Sequence, residues 1–386
     1  MAKSKMSGTA DKTSLPLSSP PLRGRGQGEG DLLEESEEIL NEILMIAKKE
    51  NKKTGFCIGN TTKKVARDYF FTPIRNTSLC VAGSIIIDCV AIAEAITRAV
   101  DGRVDYIFVD TEKKISPELY SLADAGNVER AVRQLASRSK VLTYKGNDLT
   151  VDAMDCFLAQ LMVPDVRGLG GKKVAIIGAG NMGFKLALKL TERGAYVIMV
   201  RRNTKVLNTI VRALNYVKPR STIAKITGTS DIQAALVDAN IVIGLTPGTH
   251  DITREMIAGV KDSAILVDAG KGSFSAEAIE EAGRRTLPVY RASIQASFEG
   301  QVTMLLKTEE ILAREVGRRE IDGVSIVSGS LMGCKGDLVV DNFLNPAQVF
   351  GVADGTGDFN REPSAKEIAN RQLLEEWIRQ RQGSAS

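Results

Sequence analysis

Between Asp31 and Asn51, apolar side chains fall at Leu33, Ile39, Leu40, Ile43, Leu44 and Ile46, at mixed three- and four-residue spacings. Those spacings put them on one side of a helix, so the run predicts an amphipathic helix. From Thr54 to about Asp165, short apolar runs alternate with helical patterns. Gly55–Gly59 (GFCIG), Ser78–Val81 and Tyr106–Val109 (YIFV) predict strands, whereas Val65–Phe71, Asp88–Val100, Val128–Ser137 and Val151–Leu161 predict helices. That alternation predicts an α/β domain built on a parallel-rich sheet. Val163–Gly171 (VPDVRGLGG), with its proline and three glycines, reads as a junction.

A second α/β pattern follows. Lys173–Ile177 (KVAII) predicts a strand that runs into Gly178-Ala-Gly180-Asn-Met-Gly183 and then a helix, Phe184–Glu192. Ala195–Val200, Ile241–Leu245 and Ala264–Val267 predict further strands, and repeated strand–loop–helix units of this length predict a doubly wound sheet. Near the end of the chain, Ile368, Leu373, Leu374, Trp377 and Ile378 lie at helical spacing within Pro363–Arg381 and predict an amphipathic helix. The expected organisation is a disordered extension over residues 1–30, a substrate domain over 31–165 and a nucleotide-binding domain over 166–315. Residues 316–386 are expected to form an extension packed partly on the first domain.

Composition narrows the chemistry. The 386 residues carry 51 Lys plus Arg against 47 Asp plus Glu, and the basic residues are dispersed, which gives no reason to expect nucleic acid as a partner. The longest apolar run, Ser84–Val100, contains Asp88, Glu94 and Arg98, so no membrane span is expected. Residues 1–30 are rich in Ser, Pro, Gly and Arg with almost nothing to bury, and SLPLSSPPL is too short and proline-broken for a signal-peptide core. His250 is the single histidine, so any His-based triad must use it and a zinc site with two His ligands is impossible. The five cysteines (57, 80, 89, 156 and 334) form no CxxC pair, and they read as free, mostly buried thiols of a cytoplasmic protein. Acidic residues are scattered, and no metal site is expected.

The G-x-G-x-x-G string satisfies the context that makes it meaningful: an apolar strand before it, a helix after it, and a second strand about 20 residues on. Gly178 is expected to permit the tight turn and Gly180 to admit a pyrophosphate. Gly183 is expected to allow close helix–strand packing, with Asn181 and Met182 in the first helical turn. The helix start then offers N–H groups and its positive dipole end to phosphates. Where an NAD site usually places an acid, the second strand ends Val200-Arg201-Arg202-Asn203, so the pair of guanidiniums predicts NADP through its 2′-phosphate. The loops Thr246-Pro247 and Asp268-Ala-Gly270, after the later strands, are expected to reach the nicotinamide end. His250 and Lys271 lie on those loops, where solvated or loop-shaping roles compete with chemistry.

The layout resembles two groups of two-domain NADP-dependent dehydrogenases: shikimate/quinate dehydrogenases and methylene-tetrahydrofolate or tetrahydromethanopterin dehydrogenases. The resemblance to the shikimate side covers roughly residues 55–315. It implies an N-terminal α/β substrate domain, a doubly wound Rossmann domain and C-terminal helices packing back, with a homodimer as the expected assembly. The string Gly59-Asn60-Thr61-Thr62-Lys63-Lys64 is similar to the family's N-V-T-x-P-x-K stretch without its proline. Gly146-Asn147-Asp148-Leu-Thr150-Val-Asp152 stands where the family has N-T-D, at altered spacing, and Gly300–Leu305 is similar to a late G-x-x-M-L helix with one residue more. The resemblance implies proton transfer by Lys64 or Lys63, oriented by Asp152 or Asp148, in hydride exchange between NADP and a small polar metabolite. The family's Ser-x-Ser carboxylate clamp has no counterpart, and neither do about 60 residues after Arg319. A pterin-type methylene dehydrogenase and an NADP-binding regulator without turnover therefore stand as alternatives. Glutamyl-tRNA reductase shares the nucleotide-binding half but requires an activated thiol, for which no cysteine here has a recognisable setting.

Overall fold

A computed structural model of the chain describes residues 27–62, 67–115, 127–328 and 330–383. The chain begins with α1 (Gln27–Glu50), β1 (Lys53–Asn60), β2 (Tyr69–Asn76), β3 (Cys80–Ile87), α2 (Val90–Val100), β4 (Tyr106–Asp110), α3 (Val128–Leu135), β5 (Lys140–Tyr144) and α4 (Gly146–Leu161). Five strands form one sheet in the order β2-β3-β1-β4-β5, parallel except for β2 against β3. Leu40 and Ile43 of α1, Ile92 and Ile96 of α2 and Val132 of α3 cover one face, meeting Phe56, Ile58, Ile85, Ile107 and Val109 in a common core.

Two expectations change here. The helix expected over Val65–Phe71 falls partly on residues 63–66, outside the described residues, and its described end belongs to the strand β2. Tyr69-Phe70-Phe71-Thr72 is aromatic and β-branched, a composition that fits a pleated surface better than a helix. Pro73 is tolerated because β2 is an edge strand whose register shifts between Thr72 and Arg75. The sequence reading also has no counterpart for β5, a five-residue edge strand whose half-buried side chains give no alternation to detect.

The second sheet comprises β6 (Lys173–Ile177), β7 (Tyr196–Val200), β8 (Ile226–Thr229), β9 (Ile241–Gly244), β10 (Ile265–Asp268) and β11 (Val289–Arg291). Between them run α5 (Asn181–Glu192), α6 (Thr204–Val217), α7 (Ile232–Leu236), α8 (Arg254–Ile257) and α9 (Ala276–Arg284). All neighbours are parallel and the order is β11-β10-β9-β6-β7-β8. Counted from β6 this is 6-5-4-1-2-3, the doubly wound order, and it reverses between β6 and β9. Leu186 and Leu190 of α5 pack on one face, and Ile257, Ala278 and Ala282 of α8 and α9 pack on the other. Helix α4, expected in the first domain, buries Val151, Met154 and Leu158 in the core of this second sheet.

By contacts the chain divides into two units, Met1–Ala292 and Ser293–Ser386, and both sheets above lie in the first. The second unit holds α10 (Gln295–Arg314), β12 (Gly317–Ile321), β13 (Val324–Ser328), β14 (Leu338–Val340), β15 (Val349–Val352) and α11 (Ala365–Gly383). Its strands form a sheet of their own, β12-β13-β14-β15, and Leu374 and Ile378 of α11 join Ile321, Val324, Ile326, Leu338 and Val352 in a separate core. The expected C-terminal helix is present. The sheet that it covers was not foreseen, because its strands are three to five residues long and broken by Gly and Asp turns. No described helix is long and apolar enough to cross a membrane.

Candidate functional site

The turn after β6 opens on a cleft of about 420 Å³ at the point where the strand order reverses. Gly178 has φ +103°, and a Cβ there would lie 2.7 Å from the carbonyl carbon of Leu245, so the turn excludes any side chain. A Cβ on Gly183 would lie 2.8 Å from the Gly178 carbonyl oxygen, which shows how tightly α5 is packed on its own turn. Gly180 is the opposite case: a Cβ there would meet nothing within 4 Å, because the backbone faces the open cleft. Gly180 is also the N-cap of α5. It supplies no side-chain hydrogen bond, and no acidic residue occupies the first turn, which includes Asn181 and Met182. The free N–H groups and the positive end of the helix dipole thus border the cleft.

Gly178, Gly180, Arg201, Arg202, Asn203, Thr246 and Pro247 all line this cavity. Arg201 Nη1 donates to the carbonyl of Ala179 at 2.7 Å, and its guanidinium lies 6.0 Å from the Phe184 ring centroid. The glycine turn therefore fixes Arg201, while Arg202 is exposed on the rim. Asn203 has a second duty, since its side chain caps α6 by accepting the Val206 N–H at 3.1 Å. The Thr246 hydroxyl is buried without a partner among the described residues. Asp268 and Gly270 lie behind that wall. Asp268 accepts the N–H groups of Gly270 at 3.0 Å and Gly272 at 2.7 Å, and Gly270 passes so close to the Thr246 carbonyl that no side chain fits. They shape the loop that presents Thr246 and Pro247. Exposed His250 places Nδ1 3.2 Å from the Phe274 carbonyl and is absent from the cavity wall. Ser230, Ile232 and Asp251 line the cleft unpredicted; each directly follows a strand or its loop, where the strand-end rule could have found them.

Of the expected proton-transfer residues, only the two aspartates fall within the described residues. Lys63 and Lys64 lie outside the described residues. Asp148 is bonded to Lys185 of α5, and Asp152 lies 3.1 Å from Lys189 of the same helix. Arg193 grips Asp155 through two bonds of 2.6 and 2.8 Å. Both helices thus present charged residues at near-regular turns to one another. At the top of this seam stands a cluster that the sequence reading missed. Lys114 lies 2.8 Å from Asp110 and 3.0 Å from Glu112, and Glu112 lies 3.4 Å from Lys185. Asp110 accepts Gly146 N–H and Glu112 accepts Asn147 N–H at the start of α4. Burial alone would raise the Glu112 carboxyl, but the Asn147 N–H and the two ammoniums outweigh it and hold it below the usual range. The signal for this cluster was Asp110, an acid that closes the apolar strand YIFVD.

Two of the thiols, Cys57 and Cys80, are buried. Burial pushes Cys80 up to about 12 and Cys57 higher still, so neither is a nucleophile at neutral pH. As a group the cysteines are less uniformly buried than expected: Cys89 is half-buried, and Cys156 and Cys334 are exposed. Among the described residues no group of His, Cys, Asp or Glu is arranged to hold a metal ion.

Strand order, reversal-point cleft and glycine turn together define a Rossmann-type nucleotide-binding fold. Residues 173–330 match the family model described as the NAD-dependent glycerol-3-phosphate dehydrogenase N-terminus. The chain is 26% identical over 166 residues to a glycerol-3-phosphate dehydrogenase (NAD(P)+) of Carboxydothermus hydrogenoformans, an alignment covering 42% of this chain and 47% of that protein. It is 32% identical over 136 residues to the enzyme of that name from Limosilactobacillus fermentum, covering 31% and 40%. The chain thus spans less than half the length of these relatives. A solved shikimate dehydrogenase in complex with NADP+ aligns over 67% of this chain and 91% of its own, at 12% identity and a TM-score of 0.38. The matched family is a different dehydrogenase family from the two that the sequence motifs resemble, and its match begins after the first sheet.

Proposed function

We propose that the chain is an NADP-dependent oxidoreductase that moves a hydride to or from a small polar metabolite. The observation that carries this reading is the cleft at residues 178–183, with an open Gly180, an uncapped helix start and two arginines on one wall. The residues fit the dinucleotide. Gly180 leaves room for a pyrophosphate, the first turn of α5 offers it N–H donors, and the unpaired Thr246 hydroxyl waits for a polar partner. Bound NADP(H) supplies the hydride donor or acceptor. Arg201, held by the Ala179 carbonyl, is preset for a phosphate oxygen, and exposed Arg202 stands next to it on the rim. We assign the accompanying proton to Lys63 or Lys64, which follow β1 in the sequence. Asp148 is favoured over Asp152 as the orienting acid, because Asp148 stands in the first turn of α4, next to Asn147, whose side chain bonds Asn181.

The first sheet is the proposed substrate domain, and the protein is proposed to act in the cytoplasm. The relatives named above act, by name, on glycerol 3-phosphate. The shared segment begins at the nucleotide-binding half, so the substrate proposed here is only a small polar compound.

The test is a pair of titrations. Replacing Arg201 and Arg202 together by alanine should weaken NADPH binding by about thirtyfold or more, while NADH changes by less than about threefold. Equal losses would contradict the NADP assignment. Bound NADPH that no compound in a metabolite panel oxidises would contradict turnover.

A further inference from the structure

Glu112 stands on the loop after β4 and bridges three groups. Its Oε2 accepts the Asn147 N–H at 2.7 Å and lies 3.0 Å from Lys114 Nζ, while its Oε1 lies 3.4 Å from Lys185 Nζ. Asp110, with its side chain only 1% exposed, holds Lys114 from the other side and also accepts Gly146 N–H. Two carboxylates therefore join the loop after β4 to the first turn of α4. Lys185 joins Glu112, together with Asp148 of α4, to α5.

The position of Lys185 matters. It lies one turn beyond Asn181, on the same side of α5, and Asn181 is the first residue after the open glycine. Asn181 itself accepts from Asn147 at 3.3 Å. A ligand seated at the start of α5 is thus one contact from Asn147, and one helical turn from the ammonium that shares Glu112 with Lys114. The whole group is half-buried or better, where charge interactions are stronger than in bulk water. A small shift of Lys185 changes how much of Glu112 remains for Lys114. In the exposed counterpart one turn further on, Lys189 pairs with Asp152, and among the described residues no carboxylate of the loop joins them.

We propose that Lys185 is a positioning residue that couples the dinucleotide cleft to the carboxyl edge of the first sheet, with Glu112 as the carboxylate shared between Lys185 and Lys114. The dinucleotide then binds first and fixes the loop at residues 110–115, which borders the edge where the substrate is proposed to react. Coupling of this kind is reciprocal: whatever tightens the loop also tightens the dinucleotide. This inference rests on the proposed function for the identity of the ligand at α5.

Amide hydrogen exchange on the full chain, with NADPH as the probe, tests it. In the wild type, saturating NADPH should slow exchange at residues 110–115 by about threefold or more. In Lys185→Met that slowing should disappear while the NADPH dissociation constant stays within about threefold, and Lys185→Arg should restore it. Should Lys185→Met fail to fold, Glu112→Gln is expected to lose the same response. Unchanged slowing in the folded variants would overturn the coupling. So would a wild type that binds NADPH with no response in the loop. A wild type that does not bind NADPH at all would overturn the proposed function and this coupling with it.

Discussion

At the residue scale, Asp101 shows how one short side chain can order a loop. Its carboxylate accepts the N–H groups of Ser137 and Arg138 at 3.0 Å and Ser139 at 2.8 Å, together with the Ser137 hydroxyl at 3.1 Å. Desolvation would raise its pKa, but the backbone N–H groups of Ser139, Ser137 and Arg138 win and bring it to about 2. A depressed folded-state pKa contributes stability at pH values above the unfolded value of roughly 3.9, and that contribution is lost as pH falls through about 2. Asp101→Asn should therefore lower the melting temperature by about 3 °C or more at pH 7 and by much less near pH 2. A pH-independent difference in calorimetry would contradict the assignment. None of this was legible in the sequence, since the partners lie 36 to 38 residues away. The glycines were legible because each is a constraint on local backbone. Gly178, Gly180 and Gly183 take the turn, the open face and the close approach that their spacing implies.

The element scale is set by the seam between α4 and α5. Asp148, Asp152 and Asp155 on one helix meet Lys185, Lys189 and Arg193 on or just after the other, while the opposite side of α4 supplies Val151, Met154 and Leu158 to the second core. Asp155 is 9% exposed and held by a two-bond grip, whereas Asp152 is largely open to solvent. Asp155→Ala should cost about 1–3 kcal/mol in denaturant unfolding, because it strands a guanidinium beside a buried position. Asp152→Ala should cost less than about 0.5 kcal/mol. Equal costs would contradict the distinction. From sequence alone, α4 starts at Val151, and its salt bridges to α5 carry no signal. The apolar pattern marks only the buried side of a helix; it does not say which charged residues stand across from it. The same limit hid β2, where three consecutive aromatic residues fit a helical pattern as well as a strand.

On the scale of the whole molecule, the strand–turn–helix repeats of residues 173–268 gave away the doubly wound sheet, since β6, β7, β9 and β10 are largely apolar runs of four or five residues. The C-terminal unit stayed hidden, because three- to five-residue strands between glycine turns carry little periodicity. Among the described residues, Ile321, Val324, Ile326, Leu338, Leu374 and Ile378 pack together in one cluster. The second unit's own sheet and core predict an unfolding transition separate from that of the first unit. NADPH, seated in the first unit, should stabilise residues up to 292 by RT ln(1 + [L]/Kd), about 2.7 kcal/mol at a hundredfold excess over Kd, raising the midpoint of their transition and leaving the other in place. A single transition in calorimetry, or an equal rise of both, would contradict this division.

The central claim is that the turn at residues 178–183 receives the phosphates of a dinucleotide, and Gly180→Val tests it most directly. The added side chain meets no protein atom within 4 Å of its Cβ but enters the space opposite the helix start. The account predicts that wild-type protein binds NADPH, and that Gly180→Val weakens binding by at least about tenfold while the melting temperature without ligand stays within about 2 °C. Undiminished NADPH binding by a folded Gly180→Val protein would contradict the account.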